Sequence, residues 1–142
     1  MNIIEYFKKK IEELGYTFAV GDMRQLNIHI NNIDFSASNG GVVVCCNNIT
    51  EEYYEDRTSA IVALYFCKMM TFDFDSYDTV EEQINVRDHA HVVMQAFKTD
   101  NVVDYSNARI TYGFDEFADN VLYCCVRMRV ESLAAENSCF KK

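Results

Sequence analysis

The chain has 142 residues, 49% of them hydrophobic and 13% aromatic, with no proline, no tryptophan and six cysteines. A chain of this length forms one domain burying roughly 68–70% of its unfolded surface, so disordered, collagen-like and low-complexity classes are excluded and no disulfide or metal staple is required. With 22 acidic against 13 basic residues the net charge is -9, a field that repels phosphate backbones and argues against nucleic-acid binding.

The first predicted element is a helix over Ile3 to Leu14. Asn2 is placed to cap it, Glu5 stands three residues later as in a capping box, and Gly15 stops it. Ile3, Ile4, Phe7, Ile11 and Leu14 recur at helical spacing and leave Lys8, Lys9, Glu12 and Glu13 to solvent, so one face must lie on something. Strands are expected next. Tyr16 to Val20 is a short run broken by Gly21 and Asp22. Leu26, Ile28 and Ile30 then alternate with Asn27, His29 and Asn31, the period of a half-buried strand. The parity changes at Asn31 and Asn32, before Ile33 and Phe35, which asks for a bulge or tight turn. Asn39-Gly40-Gly41 gives the strongest hairpin signal and leads into a strand over Val42 to Cys46, so a meander is the simplest reading.

Arg57 to Phe74 has a core, Ser59 to Met70, that is apolar on every face and suits either a buried helix or a central strand. Tyr65, Phe66, Phe72 and Phe74, with Asp73 and Asp75 alternating, favour the strand. A longer helix begins at Asp78 or Thr79, with Asp78 as its cap. Val86, Ala90, Val93 and Phe97 form its apolar stripe, Val80, Ile84, His91 and Met94 lie beside the stripe, and Glu81, Glu82 and Lys98 match the helix dipole. Asp100 to Ser106 reads as a connector, Arg109 to Tyr112 as a strand and Gly113 to Asn120 as an acidic loop. Val121 to Glu131 is the clearest strand, with Leu122, Cys124, Val126, Met128 and Val130 on one face and Tyr123, Cys125, Arg127, Arg129 and Glu131 on the other. Residues 132–142 read as a tail. The expected fold is a single α+β domain over 1–142, a mainly antiparallel sheet of about five to six strands packed against two helices in the order α-β-β-β-β-α-β-β.

Lys8, Lys9 and Lys10 follow an apolar patch, whereas a secretory signal puts its positive charges first. The most apolar run, Ala60 to Cys67, falls well short of the ~18 residues of a membrane span, so a cytoplasmic protein without membrane contact is expected. The adjacent pairs Cys45-Cys46 and Cys124-Cys125 each place one thiol inward and one outward on a strand, which is not disulfide-scaffold spacing and agrees with a reducing compartment.

Motifs for chemistry are sparse. His89-x-His91 could hold a metal only in an extended segment, because two residues along a helix turn side chains about 200° apart. His29 with Cys45 or Cys125 lacks the CxxC or HExxH spacing of a zinc site. Asp73-x-Asp75-x-x-Asp78 lacks the Gly and Glu that a calcium loop would need at Asp78 and Ile84. No GxSxG, P-loop or GxGxxG occurs, and cysteines inside apolar strands have raised thiol pKa values that make them poor nucleophiles. No catalytic, cofactor-binding or metal-binding residue is assigned, and a non-enzymatic protein is expected. Charge segregation is the remaining signal. Tyr123, Arg127 and Arg129 form a basic and aromatic row on the outward face of the last strand. Glu51, Glu52, Glu55 and Asp56 lie in one loop, and Asp115, Glu116 and Asp119 in another. Tyr123, Arg127, Arg129, Asp115, Glu116 and Asp119 are therefore a candidate self-association surface, since opposite charges on separate patches let copies meet head to tail and close into a ring.

The order of an N-terminal amphipathic helix, a meander, a second helix and a closing hairpin resembles tail terminator and head-tail completion proteins of long-tailed phages. The part most similar in character runs from Asn107-Ala108-Arg109-Ile110-Thr111-Tyr112, through the acidic loop, to Val121-Leu122-Tyr123-Cys124-Cys125-Val126-Arg127-Met128-Arg129-Val130. The resemblance covers residues 1 to 131 and is one of pattern, those proteins having no catalytic motif. It implies an assembly protein forming a hexameric ring that caps the tail tube or joins it to the head, with tail or neck proteins as partners, in the host cytoplasm or the virion. Two other classes fit the residues: a binding module holding a protein or small apolar ligand between the Val80 to Phe97 helix and the sheet, and a cysteine-dependent enzyme.

Overall fold

Helix α1 (Ile3–Glu13) forms as its periodicity predicts, burying Ile3, Tyr6, Phe7 and Ile11. It stops at Gly15, whose φ of 92° lies in the left-handed region open to glycine. The computed structural model describes residues 3–47, 49–70, 76–100, 103–114 and 121–133, so Asn2, Phe72 to Asp75, the Asp115 to Asn120 loop and the tail beyond residue 133 lie outside the described residues. Strand β1 (Phe18–Gly21) follows α1.

The expected strand through Leu26, Ile28 and Ile30 is instead a helix, α2 (Met23–Asn32). Asp22, read from sequence as a breaker, caps it: its carboxylate accepts from Gln25 N at 2.8 Å while Gln25 Oε1 accepts from Asp22 N at 2.9 Å. Leu26 and Ile30, four apart, are buried on one face, and Ile28 points out. The hairpin expected at Asn39-Gly40-Gly41 is likewise absent. Two single 3-10 turns, Phe35–Ala37 and Asn39–Gly41, with Gly40 and Gly41 at φ 62° and 73°, turn the chain into β2 (Val42–Asn47). Strands β1 and β2 are parallel, Phe18 opposite Val44, and α2 is the crossover that a parallel pair requires. A β-α-β unit thus replaces the first half of the meander.

The acidic stretch after β2 supplies an unanticipated strand, β3 (Thr50–Tyr53), followed by β4 (Arg57–Met69), which is the strand predicted there. Both β2 and β3 pair antiparallel with the same edge of β4. Cys46 faces Leu64 and Thr50 faces Ile61, so four steps along the β2–β3 side match three along β4. Helix α3 (Ser76–Thr99) starts two residues before the expected Asp78, placing Asp78 in its first turn. Strand β5 (Val103–Phe114) begins inside the expected connector, and β6 (Val121–Leu133) completes the mixed, six-stranded sheet in the order β1-β2-β4-β6-β5, with β3 on β4. Thirteen cross-strand pairs join β4 to β6, from Arg57 opposite Leu133 to Met69 opposite Val121. The β5–β6 register jumps between Asp104 and Arg109, where five steps on β5 match two on β6.

The main core lies on the sheet face covered by α1 and α3. Phe7 and Phe97, 5.0 Å apart between ring centroids, meet Val42, Leu64, Phe66, Leu122 and Val126 there. Tyr6 and Lys10 of α1 both reach the Asp100 carboxylate after α3, at 2.5 and 2.9 Å, tying the two helices at their ends. On the opposite face Leu26 and Ile30 of α2 join a second core with Val43, Cys45, Cys67, Tyr123 and Cys125, flanked by Ile33, Phe35 and Tyr65. Both faces are covered at this end, so Cys45, Cys46, Cys124 and Cys125 are all buried, which corrects the expectation of one outward thiol in each pair.

Candidate functional site

Helix α2 is ten residues long, whereas β4 and β6 run thirteen each, so it roofs only part of its sheet face. Strand alternation puts Tyr123, Cys125, Arg127, Arg129 and Glu131 of β6 on this face. Their fates divide along the strand: Tyr123 and Cys125 are buried, Arg127 is exposed, and Arg129 and Glu131 are half-buried. On β4, next to Arg129, Ile61 is 54% exposed. On β5, Arg109 stands directly opposite Arg127.

The open half of the face is therefore an arginine-bearing recess of about 300 Å³ lined by Ile61, Arg109, Arg127, Met128 and Arg129. A second recess of about 180 Å³ shares Ile61 and Arg129 and continues to Glu52 and Tyr54 beside β3. Arg129 is anchored, its Nη1 donating to the Oγ of the buried Ser59 at 3.0 Å. Among the described residues Arg109 and Arg127 have no ion-pair or hydrogen-bond partner. Two cations set across a strand pair repel, so this arrangement suits an anionic group arriving from outside. Comparisons with protein-family models, curated proteins and solved structures found no match.

Of the candidate residues named from sequence, Arg127 and Arg129 stand together on this face as the alternation predicts. Tyr123 shares the face but not the solvent. It belongs to the second core at 8% exposure, edge-on to Tyr65 at 5.2 Å, with its ring over Gly113, where a β-carbon would come within 2.3 Å. Asp115, Glu116 and Asp119 lie outside the described residues. No local sequence signal marks Arg109 or Ile61 as part of this face, because only the cross-strand register brings them beside Arg127 and Arg129. Glu51 and Glu52 belong to β3, not to a loop; Glu55 and Asp56 follow in the turn to β4.

The remaining chemistry-bearing groups are structural in setting. Burial, and then the neighbouring thiol of the adjacent cysteine, push Cys46 and Cys124 up to about 12, and Cys67 and Cys125 are raised with burial as the largest cause. A raised thiol pKa leaves little thiolate for nucleophilic attack. His89 accepts or donates a 2.7 Å hydrogen bond with Tyr16 through Nδ1, and burial, followed by the Lys68 charge, lowers its pKa. His91 is exposed. Among the described residues no three His, Cys, Asp or Glu side chains are grouped to hold a metal, and no helix is long and apolar enough to cross a membrane. The α3 stripe that a ligand-binding groove would use, Val86, Ala90, Val93 and Phe97, is fully buried in the main core.

Proposed function

We propose that this chain is a non-enzymatic assembly subunit that associates with copies of itself through the open half of its sheet. The observation that carries this reading is the facing pair Arg109 and Arg127, set with Arg129 around the exposed Ile61 beyond the reach of α2. An apolar centre rimmed by arginine has the make-up of a protein interface, in which arginine is enriched while other charged residues are depleted. A second copy has the charge the face needs, because the chain carries -9 overall and exposes Glu52, Glu55 and Asp56 at one end of the sheet. The resemblance to phage tail terminator and head-tail completion proteins supports the same reading and extends it to a ring, with tail or neck proteins as further partners.

Sedimentation velocity over a wide concentration range tests it. Mass should rise with concentration to a closed oligomer, and joint Arg109→Glu and Arg127→Glu substitution should abolish the rise. A wild-type chain that stays strictly monomeric at the highest concentration overturns the reading.

A further inference from the structure

We infer that the group seated on the arginine face is the acidic, tyrosine-bearing β3–β4 turn of a second copy; the inference rests on the self-association reading above and names its partner segment. That turn places two large rings and several carboxylates at the tip of the sheet. Tyr53 is 76% and Tyr54 45% exposed, and Glu52, Glu55 and Asp56 are exposed beside them. The tip is ordered from within. Tyr53 Oη donates to Glu51 at 2.6 Å and Tyr54 Oη to Glu52 at 2.5 Å, so the rings are held out from the strand and little side-chain freedom remains to be lost on docking.

The two surfaces match in chemistry. Guanidinium groups form forked hydrogen bonds with carboxylates and stack on tyrosine rings, and the recess between Arg109, Arg127 and Arg129 has Ile61 at its floor for an aromatic ring to cover. They cannot meet within one chain. Tyr53 is paired with Thr58 of β4, whereas Arg127 is paired with Ala63, five residues further along the same strand. Five residues of extended strand are about 17 Å, and both positions are fixed on one continuous ladder. Glu52 reaches only the recess that Arg129 shares, and Arg109 and Arg127 are left for another copy. A tip-to-face contact uses different surfaces on the two partners, so it is heterologous and propagates until it closes.

The test is a charge exchange in the full-length chain, read by sedimentation velocity and mass photometry, with far-UV circular dichroism confirming that each variant is folded. Arg109→Glu with Arg127→Glu reverses the face, and Glu55→Lys with Asp56→Lys reverses the tip; every one of these positions is solvent-exposed. Each double variant alone should associate at least about tenfold more weakly than wild type, and an equimolar mixture should recover association, because each face then meets a tip of opposite charge. If the face variant dissociates while the tip variant assembles like wild type, or the mixture fails to recover, the tip is not the partner although self-association stands. If wild type itself never associates, the functional reading falls first and this inference with it.

Discussion

The imidazole of His89 lies over Gly40: a β-carbon built at position 40 would stand 2.5 Å from both Cε1 and Nε2. The same ring bonds Tyr16 at 2.7 Å and meets it edge-on, with centroids 5.6 Å apart. Around them Thr17 N donates to Ser38 Oγ at 2.9 Å, Ser38 Oγ bonds the Val42 carbonyl, and Asn39 N donates to the Gly15 carbonyl at 2.9 Å. Helix α3, the end of α1 and the turn before β2 are thus joined at one point, which is where the glycine read from sequence as a hairpin signal has its use.

Gly40→Ala should destabilise the fold by about 1–3 kcal/mol, since alanine pays for a left-handed backbone and meets the imidazole. A urea midpoint series checks it. Placing the substitution in a His89→Ala background should return the steric part and keep the backbone part, so the two changes should not add.

The pH profile follows from the same histidine. Burial first, and Lys68 next, hold its pKa below the ordinary 6.5 against the opposing pull of Asp88, so the unfolded chain binds the extra proton. Stability is therefore full above about 6.5 and falls as pH drops towards the folded value. Asp100 acts in a separate, lower window: the Tyr6 hydrogen bond, and then Lys10, hold its carboxyl below 3.8, so its contribution is present above that pH and is lost as pH falls through the depressed value. Thermal melts should show His89→Gln flattening the loss that sets in as pH drops below about 6.5, while leaving the Asp100-linked loss at lower pH in place.

Helix α2 makes opposite demands on two residues that a strand would have treated alike. Leu26→Ala should cost about 2–5 kcal/mol, because a fully buried side chain leaves a cavity above Val43 and Cys67. Ile28→Ala, at 57% exposure, should stay within about 0.5 kcal/mol of wild type. Equal and large losses at both positions, measured by chemical denaturation, would contradict the helix.

Thiol chemistry should report the double coverage of the sheet. Cys45, Cys46, Cys67, Cys124 and Cys125 are buried, so a thiol reagent at about pH 8 should leave these five unmodified in the native chain and label them all in denaturant. Peptide mass mapping after brief labelling distinguishes them from Cys139.

Much of the architecture was legible wherever one periodicity had no competitor. The α3 stripe of Val86, Ala90, Val93 and Phe97 and the alternation of Leu122 to Val130 both emerged as predicted, because each spans enough residues to fix its period. Leu26, Ile28 and Ile30 misled because three apolar residues satisfy a strand, while Leu26 and Ile30 alone satisfy a helix; the Asp22 and Gln25 capping pair was the deciding local signal. Strand β3 was hidden because its side chains are polar and its stability comes from pairing with β4. At the candidate site, Arg127 and Arg129 were legible from alternation. The burial of Tyr123 against Tyr65 and Gly113 and the approach of Arg109 depend on cross-strand packing and on the β5 register, and neither is a property of a local stretch.

The long ladder between β4 and β6 also has a kinetic consequence. Its nearest partners in sequence, Met69 and Val121, are 52 residues apart, so loop closure must precede any reward from pairing, and such non-local sheets fold slowly. During that interval the apolar strands and their open edges are available to other nascent copies. The net charge of -9 opposes such encounters, because like-charged incomplete chains repel one another.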